Sequence, residues 1–307
     1  MRVTAVLPAL RQQITRMAIC LTGLISIVSC EKTMFIDLDD SERRIVLNGI
    51  LSPDYGLWLN VSESVGSDRA DSYSYIGLPE ATVTYYSGDE LISTITGSND
   101  GNYSERDFKP VSNHEYRIVV NSEGLPEASA VVKIPVPAEI SSFDTSAVIR
   151  NISINDPSRY EVEFFVDFSF TDKGWEENYY MLGAFYWEGD DYQPLNVDSE
   201  DLNMNVYIQD GVEVLAWNDH HFNGEKKEFQ VSFRLYQYTG FETVILFTLY
   251  SIDEDYFKYL NTYSQNFTVL NDDPLLYEAV QVHSNIENGY GIIAGVASRS
   301  VAFGYTF

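Results

Sequence analysis

Tyr160-Glu-Val-Glu-Phe-Phe-Val-Asp-Phe-Ser-Phe170 is the stretch that decides the fold class. Val162, Phe164, Val166, Phe168 and Phe170 fall on one side of an extended chain, while Glu161, Glu163, Asp167 and Ser169 mostly fall on the other. That period of two is the signature of a strand with one dry and one wet face. Phe229, Val231, Phe233 and Leu235 repeat it against Gln230, Ser232 and Arg234. In the first half Tyr116, Ile118 and Val120 alternate with Arg117, Val119 and Asn121.

Around these runs the chain is written in β grammar, short β-branched and aromatic segments separated by Gly, Asn, Asp and Pro. Ile45–Leu51 and Leu57–Val65 read as strands joined at Ser52-Pro53-Asp54-Tyr55-Gly56, and Ala81–Tyr86 and Leu91–Thr96 as a hairpin across Ser87-Gly88-Asp89-Glu90. Glu115–Asn121 and Glu127–Ile134 form another hairpin. About seven strands in about 90 residues predict a sandwich of immunoglobulin or prealbumin type. Asn178–Trp187 and Thr243–Tyr250 are apolar on both faces and read as central strands, with Asp210-Gly211 as a two-residue hairpin turn. One short helix is expected after Asp253, where acidic Asp253, Glu254 and Asp255 precede Tyr256, Leu260 and Tyr263 at helical spacing. Pro135 and Pro137, at alternate positions, interrupt the strand pattern. The expectation is therefore an all-β chain of two β-sandwich-like domains, residues 43–136 and 137–307, with the helix in the second.

The N-terminus has a different grammar. Arg2, Arg11 and Arg16 precede an apolar core, Met17–Val28, that is too short to span a bilayer, and Ile27-Val28-Ser29-Cys30 fits a bacterial lipobox. Residues 1–29 read as a lipoprotein signal peptide, Cys30 as the lipidated residue, and residues 30–42 as an acidic tether. Acyl chains on Cys30 would hold the protein to a membrane stably. Removing 29 of the 307 residues leaves 278. Because the discarded segment holds three Arg and no acid, 19 basic residues fall to 16 against 46 acidic, a formal balance of −30. Such a surface repels phosphate, which argues against nucleic acid as a partner. Cys20 leaves with the signal and Cys30 is lipidated, so no cysteine remains for a disulfide or for thiol chemistry.

Candidate chemistry is sparse. Asn218-Asp219-His220-His221 is the one place where possible metal ligands cluster, but adjacent histidines in a strand point to opposite faces, so His220 and His221 read as loop surface and weak metal candidates. No Gly-x-Ser-x-Gly, phosphate-loop or dinucleotide fingerprint occurs. Glu188, Asp190, Asp191, Asp198, Glu200 and Asp201 read as solvated loops. Neither a catalytic residue nor a cofactor is expected. Trp175, in a turn before Glu176-Glu177-Asn178, and Tyr192, in the loop after Trp187, are the candidates for ligand or partner contact, because nothing in the pattern buries them.

Several stretches resemble a Bacteroidetes lipoprotein family catalogued only as a domain of unknown function. They are the lipobox, Arg44-Ile-Val-Leu-Asn-Gly-Ile-Leu51, Pro79-Glu-Ala-Thr-Val-Thr84, the Tyr116–Pro137 strand pair and Ser284-Asn-Ile-Glu-Asn-Gly-Tyr-Gly-Ile-Ile-Ala-Gly-Val-Ala-Ser298. Gly289, Gly291 and Gly295 around Ile292-Ile293 suit a tight turn into a buried closing strand. The resemblance implies an outer-membrane lipoprotein, often encoded beside a TonB-dependent transporter, with no established activity or ligand. The expected function is that of a lipid-anchored accessory or ligand-binding protein in nutrient uptake. A surface adhesin or carbohydrate-binding module is the alternative, and a cryptic hydrolase the second.

Overall fold

The computed structural model describes residues 43–65, 76–151, 159–209, 211–238, 242–272 and 280–306. The expected signal peptide, Cys30 and the expected tether lie outside the described residues, as does Asp210 of the expected hairpin turn. The first half carries β1 (Ile45–Ser52), β2 (Gly56–Glu63), β3 (Thr82–Ser87), β4 (Glu90–Thr96), β5 (Asn102–Glu105), β6 (His114–Asn121) and β7 (Ala128–Ile134). Then follow β8 (Ile140–Asn151), β9 (Arg159–Thr171), β10 (Tyr179–Glu188), β11 (Asp191–Leu195), β12 (Val197–Ser199) and β13 (Asn205–Gln209). β14 (Val212–Asn218), β15 (Lys226–Tyr238), β16 (Glu242–Ile252), helix α1 (Glu254–Asp272) and β17 (Tyr290–Thr306) complete the chain.

The fold class is all-β, as the alternation predicts. Among the described residues the strands form three sheets: a long one ordered β13-β14-β10-β16-β17-β1-β2-β5 with β11 also on β10, and two of four strands, β12-β15-β9-β8 and β4-β3-β6-β7. Each four-stranded sheet buries its apolar face against one half of the long sheet. In the first sandwich Leu47, Leu57, Leu59 and Tyr103 meet Val83, Ile118, Val120 and Val132. In the second, Phe164, Phe168, Phe229 and Phe233 meet Leu182, Trp217 and Phe247. The alternating side of 160–170 is thus core, and its other side is wet at Asp167 and half-buried at Glu161 but buried at Glu163 and Ser169. The Glu163 carboxylate sits between Arg150 and Arg234, at 2.7 and 2.9 Å, and their hydrogen bonds hold it below the usual range.

The closing strand joins the two sandwiches. Tyr290–Gly295 of β17 pairs in parallel with β1, and Val296–Thr306 then runs antiparallel to β16. Ile293 lies in the first core, whereas Ile292, Ala294 and Val296 face the other side of the sheet with α1. Gly291 (φ +101°) and Gly295 are where this strand is pressed closest to its neighbours: a Cβ on either would lie 2.1 Å from a carbonyl oxygen, of Leu47 and Lys133 respectively. The buried closing strand expected from the Ser284–Ser298 stretch is present. The segment carrying Pro135 and Pro137 separates β7 from β8 but is not slack, since Ala138 is buried and its N–H donates to Ser251 Oγ at 3.0 Å. Glu42–Phe307 packs as one compact unit.

The helix, expected to be short, runs for 19 residues. Asp253 explains where it starts: its Oδ1 accepts from Tyr256 N–H at 2.8 Å, the N-cap geometry, while Oδ2 accepts from Gly295 N–H at 2.6 Å and ties the helix to β17. Tyr256 and Leu260 then bury against Met181, Ala216 and Ile292 on the outer face of the long sheet. Among the described residues no helix is long and apolar enough to cross a membrane.

Candidate functional site

Two places bring exposed aromatic rings together with polar groups. The first is the end of the second sandwich where loops 172–178 and 219–225 meet. Asp172 accepts from Gly224 N–H at 2.7 Å and from the Tyr180 hydroxyl. Asp219 Oδ2 accepts from Asn178 N–H at 3.0 Å and from its side-chain amide at 3.1 Å. Each buried carboxyl therefore ties its own loop to the other one. The backbones touch as well, since a Cβ on Gly174 would lie 2.9 Å from Gly224 Cα. Burial first, and the neighbouring Asp172 carboxyl after it, push Asp219 above the ordinary carboxyl range against the pull of the Asn178 donors. Asp219 is 0 % exposed and its Oδ1 has no partner among the described residues.

On this base Trp175 stands 70 % exposed, with the Lys173 ammonium 5.8 Å from its ring centroid. On the facing loop His220 and His221 are exposed, their ring centroids 5.1 Å apart, in the loop surface the sequence suggests. The Asp219 carboxylate next to them is turned inward to Asn178. Among the described residues no group of three or more His, Cys, Asp or Glu is placed to hold a metal ion. Tyr192 is elsewhere. Expected in a loop, it lies instead in strand β11 opposite Trp187, because the chain reverses already at Gly189-Asp190; it is 37 % exposed and packs edge-on against the Trp187 ring, 4.9 Å between centroids. Trp175 precedes β10 and Tyr192 follows it, so the strand's nine steps of about 3.3 Å put the two contact candidates at opposite ends, about 30 Å apart. They do not form one surface.

The second place is concave, and sequence reasoning missed it. Leu57, Leu59 and Val61 of β2 point into the first core, which leaves Trp58 on the outer face with Asn60. Trp58 is 49 % exposed and pairs across β1 with Ile50. Between these strands the turn Pro53-Asp54-Tyr55 is pinned to the far sandwich: Asp54 Oδ2 accepts from Ser298 N–H at 3.2 Å and from its hydroxyl at 2.7 Å. The pin seats Tyr55, 61 % exposed, above the outer face where β17 leaves β1.

Two clefts meet there, both lined by Ile50 and Tyr55. One, of about 520 Å³, adds Trp58, Leu57, Arg106 and Lys109. The other, of about 370 Å³, runs toward α1 and β14 and is walled by Phe185, Val214, Tyr250 and Tyr256. Burial, with Tyr55 nearby, pushes the Tyr250 hydroxyl up to about 12, so it remains a donor at neutral pH. Gly183 leaves room on the β10 side, since a Cβ would meet the Phe185 ring at 2.9 Å and the Tyr250 ring at 3.3 Å. The signal for this site was legible in principle: in Leu57-Trp-Leu-Asn-Val61 a period of two puts a tryptophan in phase with asparagine rather than with the leucines. A third cleft, of about 540 Å³, lies at the start of α1 and is rimmed by Glu115, Glu176, Glu254 and Asp255, with Lys133 paired to Glu176 at 2.6 Å.

A family model described as "Domain of unknown function (DUF4249)" matches residues 31–301. The chain belongs to this family. The match bears out the resemblance drawn from the sequence as far as a family catalogued as a domain of unknown function. No curated protein matches the chain. Among solved structures, a chain titled "Biofilm associated protein - BSP domain" is similar with a TM-score of 0.19 and 8% identity, over 86% of this chain and 59% of that one. This family member thus spans under two thirds of that structure's length.

Proposed function

We propose that the protein is a binding protein, lipid-anchored through Cys30 in the outer membrane, that serves as an accessory to a TonB-dependent transporter in nutrient uptake. The observation that carries the binding reading is the pair of clefts meeting at Tyr55. Ligand sites are concave and mostly apolar with a few polar groups at the rim, and this is where such a surface occurs. The lipobox supports the anchor, and a tethered protein searches a thin layer, so a modest transporter interface suffices for occupancy. Binding rather than catalysis is proposed because aromatic walls with cations at the rim suit holding a ligand, and the carboxylate that lines the groove, Asp54, is taken up by Ser298.

The test has two arms. Cys30→Ser should move the chain from the detergent-extracted membrane pool to an unprocessed or soluble form, and unchanged fractionation would remove the anchor from the proposal. Native pull-down after mild solubilisation should recover a large outer-membrane β-barrel. Recovery of soluble glycans alone would favour the carbohydrate-binding alternative.

A further inference from the structure

The cleft beside Trp58 differs in charge from the protein around it. The chain carries 46 acidic against 19 basic residues. This cleft is lined by two cations, Arg106 and Lys109, and by one carboxylate, Asp54. The carboxylate is already engaged by the N–H and hydroxyl of Ser298. Lys109 donates one N–H to the Asp54 carbonyl oxygen at 2.9 Å, which fixes the ammonium at the rim with two donors left over. Arg106 makes no hydrogen bond or ion pair among the described residues. Its neighbour Glu105 does not neutralise it in the cleft: that carboxylate takes the Ser93 hydroxyl at 3.4 Å and the Asp107 N–H at 3.1 Å.

Charges farther away than about 8 Å are largely screened at physiological salt, so the local excess of cations, not the overall negative charge, sets what the cleft attracts. A guanidinium with free donors beside tryptophan and tyrosine rings fits a carboxylate, sulfonate or phosphate through its planar fork. Beyond Tyr55 the second cleft is walled by apolar side chains and offers hydroxyl donors instead of charge.

We propose, resting on the binding reading above, that the groove takes amphipathic anions: the anionic head sits on Arg106 with help from Lys109, and the apolar body lies against Trp58 and Tyr55 and extends into the second cleft. Arg106 is the residue that sets the ligand's charge, and Trp58 holds its body.

Two probes of nearly the same shape, one charged and one not, test this. 2-Naphthalenesulfonate and the uncharged 2-naphthalenesulfonamide are titrated into the full chain, in one detergent throughout, and followed by isothermal titration and tryptophan quenching. The sulfonate should bind at least tenfold more tightly than the sulfonamide, and added NaCl should shrink the ratio. Arg106→Gln should bring the two affinities within about twofold without moving the denaturation midpoint, since the side chain is exposed. Lys109→Gln should reduce the ratio less, and Trp58→Ala should weaken both probes equally. Equal affinities in the unaltered chain, or a ratio untouched by Arg106→Gln, would overturn the anion assignment and leave the groove a binding site. Failure of both probes to bind, with Trp58→Ala indistinguishable from the unaltered chain, would remove the groove reading and this inference together.

Discussion

The loop end built on Asp172 and Asp219 and the groove around Tyr55 both hold aromatic rings in water, but they are made in opposite ways. At the loop end, buried carboxyls and backbone contacts lock two loops together, and Trp175, His220 and His221 project from a closed surface. At the groove, an exposed turn is pinned across to the neighbouring sandwich, and the space between Tyr55, Trp58 and α1 stays open. An exposed aromatic side chain is therefore a poor guide to a site by itself. Concavity comes from topology, here from the closing strand that leaves β1 at Gly295 and continues along β16.

The comparison breaks most visibly at Asp172. Asp172→Ala strips the acceptor from two donors at once, the Tyr180 hydroxyl and Gly224 N–H, and leaves Asp219 without its neighbour. Unsatisfied buried donors cost about 1–3 kcal/mol each, so a loss of about 3 kcal/mol is expected in chemical denaturation. Asp172→Asn, which retains one acceptor, should recover part of it. Affinity for 2-naphthalenesulfonate in the folded protein should be unchanged, because the groove shares no hydrogen bond with this cluster. A large affinity change would mean that the two regions are coupled.

A second effect, about 2 kcal/mol, sits between the regions at Asp253, which starts the helix that walls the groove. Burial pushes its carboxyl up to about 7, against the pull of the Gly295 and Tyr256 N–H donors and with help from Asp255 and Glu254. A folded pKa above the unfolded one means that the folded state binds the extra proton. The contribution is thus complete below the unfolded value of 3.8 and is lost as pH rises through about 7. Between pH 5 and 7 this amounts to a loss on the order of 2 kcal/mol. Glu163 and Asp201, held below their ordinary values, slope the other way, so the quantity to measure is the difference between the unaltered chain and Asp253→Asn. That difference should change steadily with pH over this window. A constant offset would show only the lost Gly295 hydrogen bond and no titration.

The strand alternation made the sandwiches legible because it is a local property. Residues 160–170 announce their dry face in any context, and the β2, β3, β6 and β10 strands lie within a residue or two of where the pattern puts them. What the sequence hides is pairing between distant segments. Nothing in Ile45–Leu51 says that it lies parallel to Tyr290–Gly295, and without that pair the turn at Tyr55 looks like an ordinary hairpin loop. The length of α1 was legible in principle, since Phe267 and Leu270 continue the spacing of Tyr256, Leu260 and Tyr263, whereas the tie from Asp253 Oδ2 to Gly295, more than 40 positions away, was not. Trp175 and His220 lie in loops, as the sequence suggests, but that the two loops meet is shown only by the contact between Gly174 and Gly224.

The smallest expected effect sharpens the comparison at the two ends of β10. Trp175→Ala and Tyr192→Ala remove exposed rings, so each should change stability by no more than about 0.5 kcal/mol, with Tyr192 the larger because its ring packs on Trp187. Sites about 30 Å apart without shared partners should add, so the double variant should match the sum of the singles to within about 0.5 kcal/mol. Titration of 2-naphthalenesulfonate should be unaffected by either, since neither ring lines the two clefts. In native pull-down a compact partner interface touches one end of the strand at most, so one single variant should lower recovery as far as the double does. If both singles are silent and only the double variant loses the barrel, the partner spans the whole length of β10, and the groove, lying along the same outer face, would then be covered by the partner.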